Sequence, residues 1–86
     1  MLRIIQSPSL KFIDIALEGK LLQPWVEEVR RVVTAAGLEG RVRLDLSRLS
    51  FADESGLTFL RELRNEGVEL LARSALLAGL MDRAPL

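Results

Sequence analysis

The sequence predicts an α/β fold: a small mixed β-sheet covered by helices, with the element order β-β-α-β-α-β-α. Two kinds of apolar spacing indicate it. Apolar residues alternate with polar ones in residues 10–18 and 41–46, as in half-buried strands, and recur every three or four residues after residues 23 and 53, as in helices. The 86 residues are 49% hydrophobic and 28% charged, which is typical of a folded chain. We expect one domain over residues 1–86, because this length cannot hold two cores.

Two strands open the chain. We predict them at residues 1–6 and 10–18, with Ser7-Pro8-Ser9 as the turn of a hairpin. In the second strand, every other residue from Ile13 to Leu17 lies on one apolar face, as the two-residue period of a strand requires. Gly19-Lys20 is expected to end this strand.

A first helix is predicted from Gln23 to Ala36. Pro24 suits an early helical position, where its missing N–H has no intrahelical partner, and Gly37 is a stop signal. The apolar stripe is expected to comprise Trp25, Val29, Val32 or Val33, and Ala36. Tryptophan also anchors partners at protein interfaces, but the place of Trp25 on this stripe favours the core.

The third strand is predicted at residues 41–46, in a central position of the sheet or next to one. Its alternation predicts three core residues: Val42, Leu44 and Leu46. Residues 47–52 are expected to form a packed loop, because Leu49 and Phe51 would otherwise be exposed.

A second helix follows, with Asp53 as its N-cap and Gly67 as its stop. Its apolar stripe comprises Leu57, Phe59, Leu60 and Leu63. Residues 68–72 are predicted to form a short strand, and Ser74 then caps a compact apolar helix over residues 75–81. The strand-helix-strand unit of residues 41–72 predicts two parallel strands in one sheet.

Charge and composition exclude several functions. Twelve basic and twelve acidic residues give a formal net charge of zero, and their mixing along the chain argues against nucleic acid as a partner. The chain has no cysteine and no histidine, which removes thiol and Ser-His catalysis and the usual zinc sites. We expect no enzymatic activity, no cofactor and no metal site. Without a secretion signal or a run of ~20 apolar residues, a cytoplasmic protein that does not insert into the membrane is expected.

The segment from Asp53 to Leu57 holds the candidate functional residues: Asp53, Glu54, Ser55, Gly56 and Leu57. Asp53 can cap the helix, and the negative charge of Glu54 is favoured at a helix N-terminus. Ser55 lies among free backbone N–H groups, so an attached phosphate would be tolerated. The simpler interpretation is a helix cap alone. A divalent cation site is disfavoured, because no further carboxylates cluster nearby in sequence.

A resemblance to a known family favours the functional interpretation. Leu44-Asp45-Leu46-Ser47 followed by Asp53-Glu54-Ser55-Gly56-Leu57 resembles the signature of STAS domains, the family of sulfate transporters and anti-sigma factor antagonists. In that signature a strand ending in Asp-Leu-Ser leads to a helix start such as Asp-Ser-Ser-Gly-Leu. Ile15-Ala16-Leu17-Glu18-Gly19 resembles the family's strand that ends in glycine before its first helix. The resemblance extends over residues 10–81.

The resemblance implies a bacterial signalling module that binds another protein through the helix start at residues 53–57. The implied partner is a serine kinase or an anti-sigma factor. The alternative is a small accessory subunit that binds the ATPase of an ABC-type lipid transporter. The sequence also leaves a homodimer open.

Two departures from the family pattern bear on regulation and shape. Glu54 occupies the position of the serine that the partner kinase phosphorylates in the anti-sigma factor antagonists, so Ser55 is the remaining candidate phosphosite. We therefore expect either a constitutive form of the phospho-switched module or one that never used the switch. The chain also ends after its third predicted helix, whereas longer members continue with a strand and a helix. A compact domain with a more exposed sheet edge is expected.

Overall fold

The computed structural model describes residues 1–71, so the predictions for the third helix and its Ser74 cap lie outside the described residues. Within this range the chain forms four strands and two helices. Their bounds, in chain order, are β1 (Leu2–Pro8), β2 (Ile13–Leu21), α1 (Gln23–Gly37), β3 (Val42–Ala52), α2 (Glu54–Asn65) and β4 (Glu69–Leu71).

The strands form one mixed sheet in the order β1-β2-β3-β4. β1 is antiparallel to β2, as in the predicted hairpin, whereas β2 pairs with β3 in parallel and β3 pairs with β4 in parallel. The parallel pairing across α2 and the inner position of β3 confirm two predictions. An α/β fold with a mixed sheet is therefore the architecture of residues 1–71.

The hairpin turn lies later than the sequence predicted. β1 continues through Ser7 and Pro8, and the turn is closed by Ser9, whose N–H donates to the carbonyl of Phe12 at 2.8 Å. The Ser9 hydroxyl also donates to that carbonyl, at 2.9 Å. Pro8 is accommodated because β1 is an outer strand, where a missing N–H need not break a ladder.

β2 does not end at Gly19-Lys20, as predicted, but continues to Leu21, which is fully buried. Gly19 has φ +105°, and the register with β3 shifts on both sides of it. A β-carbon at this position would collide with the carbonyl oxygen of Met1. The glycine thus forms an irregularity within the strand rather than a stop.

Helix α1 confirms the predicted start and the early proline, and it ends one residue later, at Gly37. The prediction that Trp25 lies in the core is wrong, because 39% of this residue is exposed. The buried stripe is instead Val26, Val29, Val33 and Ala36. Both stripes fit the helical period and share Val29, Val33 and Ala36, so a small rotation of the helix on the sheet decides whether Trp25 or Val26 faces the core.

Strand β3 is longer than predicted and includes the segment expected to be a loop. Residues 48–52 pair with β2, since Arg48 lies opposite Glu18 and Phe51 lies opposite Lys20. Leu49 is buried as predicted, but Phe51 is 52% exposed, so the expected packing of its ring is wrong.

Both helices pack with the strands around one apolar core. Val42, Leu44 and Leu46 are buried, as the alternation predicted. Helix α2 contributes Gly56, Phe59, Leu60 and Leu63. β4 begins one residue after its predicted start. Neither helix in residues 1–71 is long and apolar enough to cross a membrane.

Candidate functional site

The site begins where β3 passes into α2. Asp53 adopts an extended backbone conformation, and its Oδ1 accepts a hydrogen bond from the N–H of Gly56 at 2.8 Å. The carbonyl of Asp53 accepts the first intrahelical bond, from the N–H of Leu57, also at 2.8 Å. This geometry confirms the predicted N-cap, a contact that contributes about 1 kcal/mol to helix stability.

The same carboxylate also caps α1. Its Oδ2 accepts a hydrogen bond from the N–H of Gln23 at 2.8 Å. Leu22 is the N-cap residue of α1 and provides no side-chain cap. Asp53 therefore supplies the acceptor that α1 lacks. Both of its carboxylate oxygens are engaged within the chain, which makes it a structural support for the site.

Gly56 and Leu57 also face inward. Gly56 is buried, and a β-carbon there would lie 2.6 Å from the carbonyl oxygen of Leu21 and 3.3 Å from the β-carbon of Ala52. The first turn of α2 thus rests directly on the ends of β2 and β3. Leu57 is half-buried and packs against the core. Gly56 has no side chain to offer a partner, and Leu57 leaves only part of its side chain exposed.

Glu54 and Ser55 are the two exposed members of the predicted segment. They line one end of an open groove of about 460 Å³ between α1 and α2. The other lining residues are Gln23, Val26, Glu27, Arg30, Thr58, Phe59 and Glu62. We call this feature the interhelix groove. Glu54 also lies in the first turn of α2, where the helix dipole favours its charge.

Sequence reasoning missed the α1 side of the groove. Arg30 lies between two acidic residues, with side-chain nitrogens 3.4 Å from Glu27 and 3.4 Å from Glu62. Its guanidinium also lies 4.8 Å from the centre of the Phe59 ring. The sequence shows these acidic residues, but which residues of α1 and α2 lie opposite each other depends on how both helices pack on the sheet.

The interhelix groove is predominantly acidic. Glu27, Glu54 and Glu62 supply three negative charges and Arg30 supplies one positive charge. Among residues 1–71, Arg30 is ion-paired with Glu27 and Glu62 and not with Glu54. The negative charge is therefore least compensated at the Glu54 and Ser55 end. Within the same range, no group of three or more carboxylates is arranged to hold a metal ion.

The arrangement of these elements is that of STAS domains, an α/β fold also described as SpoIIAA-like. No protein-family model matches the chain, and no curated protein matches it in sequence. The fold assignment therefore comes from solved structures.

The chain is similar to the anti-sigma factor antagonist SpoIIAA in its unphosphorylated form, with a TM-score of 0.65 and 22% identity over 99% of this chain and 84% of that one. It is also similar to an anti-sigma factor antagonist STAS domain from Rhodobacter sphaeroides, with a TM-score of 0.59 and 24% identity over 83% and 84% of the two chains. An uncharacterized protein from Shewanella loihica with a SpoIIAA-like fold gives a TM-score of 0.60 at 14% identity, over 87% and 69%. These likenesses establish a STAS-like fold.

Proposed function

We propose that this chain is a non-enzymatic protein–protein interaction module that binds a regulatory protein through Glu54, Ser55 and the interhelix groove. The observation that carries the proposal is the division of roles within residues 53–57. Asp53, Gly56 and Leu57 hold the helix start in place, and Glu54 and Ser55 are exposed above them. A rigid support reduces the entropy lost when a partner binds.

The fold supports a role in regulation. Two of the similar structures are of anti-sigma factor antagonists, a name that describes action against another protein. In this proposal the partner is a serine kinase or an anti-sigma factor in a bacterial cytoplasm, as the resemblance of residues 44–57 to the STAS signature implies. The alternative partner is the ATPase of an ABC-type lipid transporter, and the same surface would serve for either.

Glu54 provides a permanent negative charge at the position where the family carries a modifiable serine. The helix N-terminus holds this charge much as it would hold a phosphate, although a phosphoserine carries more charge, about −1.5 to −2, and three acceptor oxygens. Ser55 is the candidate phosphosite. A phosphate on Ser55 would add negative charge to the interhelix groove. Phosphorylation would therefore repel an acidic partner and favour a basic one.

Affinity capture with charge-reversed variants tests the proposal. Glu54→Arg reverses the charge at the proposed surface, and Glu66→Arg makes the same change at an exposed position beyond the other end of α2. We expect capture of the main partner to fall roughly tenfold in Glu54→Arg and to match the wild type in Glu66→Arg. Mass spectrometry of the captured protein distinguishes a kinase-like partner from a transporter ATPase. Equal capture by all three proteins would contradict the proposed surface.

A further inference from the structure

Two hydrogen bonds of β2 determine which residues of β1 turn their backbone N–H and carbonyl groups away from the sheet. The N–H of Lys20 donates to the carbonyl of Met1 at 3.2 Å, and the N–H of Ile13 donates to the carbonyl of Arg41 at 2.7 Å. Even-numbered residues of β2 thus bond to β1, and odd-numbered ones bond to β3. Given the register that places Leu2 opposite Gly19, the odd-numbered residues of β1 bond to β2. The even-numbered residues direct their backbone groups to the outer edge.

The outer edge of β1 is regular along its length, and Pro8 limits how far another strand could pair with it. The pairing of β1 with β2 is unbroken from Leu2 to Pro8, so no bulge twists the edge away from a neighbour. Leu2, Ile4 and Gln6 each present one N–H and one carbonyl outward. Pro8 has no N–H, and it falls on the outward-facing set. Among residues 1–71 no other strand pairs with this edge, which therefore offers outward hydrogen-bonding groups from residue 2 to residue 6 and ends at Pro8.

We propose that β1 is a homodimer interface, in which it pairs antiparallel with the β1 strand of a second copy about a two-fold axis at Ile4. In this register Leu2 lies opposite the partner's Gln6, and Ile4 lies opposite the partner's Ile4. Each pair exchanges both backbone hydrogen bonds. Pro8 lies outside the paired segment Leu2 to Gln6, so its missing donor breaks no hydrogen bond within that segment. The two sheets become one continuous sheet, and the contact closes at two copies.

The side chains fit this arrangement on both faces. Ile4 packs against the core from the edge, and at the axis it would contact the partner's Ile4 and extend the apolar layer across the interface. On the opposite face, Ile5 is 37% exposed and would lie beside the partner's Arg3, whose aliphatic stem can cover it. The interface uses the sheet edge and leaves Glu54 and Ser55 accessible, so it is independent of the proposed function.

Sedimentation equilibrium of the whole chain is the first test. The interface is small, so the average mass should rise from 9.6 kDa toward twice that value between roughly 10 µM and 1 mM. Gln6→Pro removes an outward N–H without removing a bond to β2, and it should weaken dimerization about tenfold or more. Gln6→Ala keeps the backbone donor and should dimerize like the wild type. A wild-type protein that stays monomeric, or a Gln6→Pro variant that dimerizes normally, would overturn the proposal.

Disulfide cross-linking tests the register and does not depend on the proline variant folding. The chain has no cysteine, so a single introduced thiol reports only on its own position. Ile4→Cys places two thiols at the axis and should give a covalent dimer under mild oxidation. In Gln6→Cys the two thiols are separated by about 13 Å along the strands and should not cross-link. Cross-linking of Gln6→Cys without that of Ile4→Cys would overturn the register.

Discussion

The carboxylate of Asp53 joins the starts of both helices, because its Oδ2 accepts a hydrogen bond from the N–H of Gln23 at 2.8 Å while its Oδ1 accepts one from Gly56. Gln23 and Asp53 are separated by thirty residues along the chain. One side chain thereby fixes the relative position of the helices that form the interhelix groove.

Replacing Asp53 should weaken both helix starts together. Asp53→Ala removes two caps, each contributing about 0.5–2 kcal/mol, so we expect the free energy of unfolding to fall by about 1–4 kcal/mol. Asp53→Asn keeps one acceptor oxygen and should lose roughly half as much. Urea denaturation measures both changes. If Asp53→Ala loses no more than Asp53→Asn, the hydrogen bond that the remaining asparagine oxygen accepts contributes nothing to stability.

Gly56 should not tolerate a side chain. In Gly56→Ala the new β-carbon would lie 2.6 Å from the carbonyl oxygen of Leu21, which requires α2 to move away from the sheet and should destabilise the domain by about 1–3 kcal/mol. Gly37→Ala is the matched control, because no atom lies within 4 Å of a β-carbon there. That variant should be neutral or slightly more stable. A Gly56→Ala melting temperature as high as that of Gly37→Ala would show that the contact between α2 and β2 is looser than described.

Leu44 should be essential for folding. It is fully buried in β3, and Leu44→Asp would place an unpaired charge in the core at a cost of several kcal/mol, against a total stability of ~5–15 kcal/mol. Leu38→Asp, at a position that is 88% exposed, should fold normally. Circular dichroism during thermal unfolding compares the two variants. An unchanged melting temperature in Leu44→Asp would contradict the placement of this residue in the core.

Asp14 should contribute to the acid dependence of stability. Arg43 donates to its two carboxylate oxygens at 2.7 and 3.1 Å, and these hydrogen bonds lower the pKa of Asp14. A lowered pKa in the folded state adds stability above the unfolded value of ~4, and this stability is lost as the pH falls toward the folded value. The wild type should therefore lose stability below pH ~4 more steeply than Asp14→Asn. Parallel curves of unfolding free energy against pH would indicate that the ion pair does not couple to folding.

Glu54→Ser should separate the proposed charge role from folding. Asp53 remains the cap, so the loss of one favourable dipole charge should change stability by less than about 1 kcal/mol. Partner affinity should nevertheless change, or a different protein should be captured, because the permanent charge is replaced by a modifiable hydroxyl. Isothermal titration with the identified partner measures the difference. Identical affinity in the wild type, Glu54→Ser and Glu54→Arg would show that the helix start is not the docking surface.

Local patterns in the sequence were sufficient for the features that depend on neighbouring residues. The alternation around Leu44 determined which face of β3 is buried, since a strand has only two faces. Asp53 was identifiable as a cap because capping requires an acceptor side chain just before a helix. The same residues carried the resemblance that correctly indicated a STAS-like fold.

Tertiary structure decided whatever depended on how distant elements meet. Helix α1 carries two overlapping apolar stripes, and its rotation on the sheet buried Val26 and left Trp25 exposed. In the sequence, Gly19 is typical of the end of a strand. In the structure β2 continues past it, because β2 pairs with β1 on one side and with β3 on the other. The bond from Gln23 to Asp53 and the interhelix groove have no local signature, because they arise only when two helices pack side by side on one sheet. The sequence thus indicated the fold and the α2 side of the interhelix groove, whereas the packing of the helices on the sheet placed the α1 side opposite it.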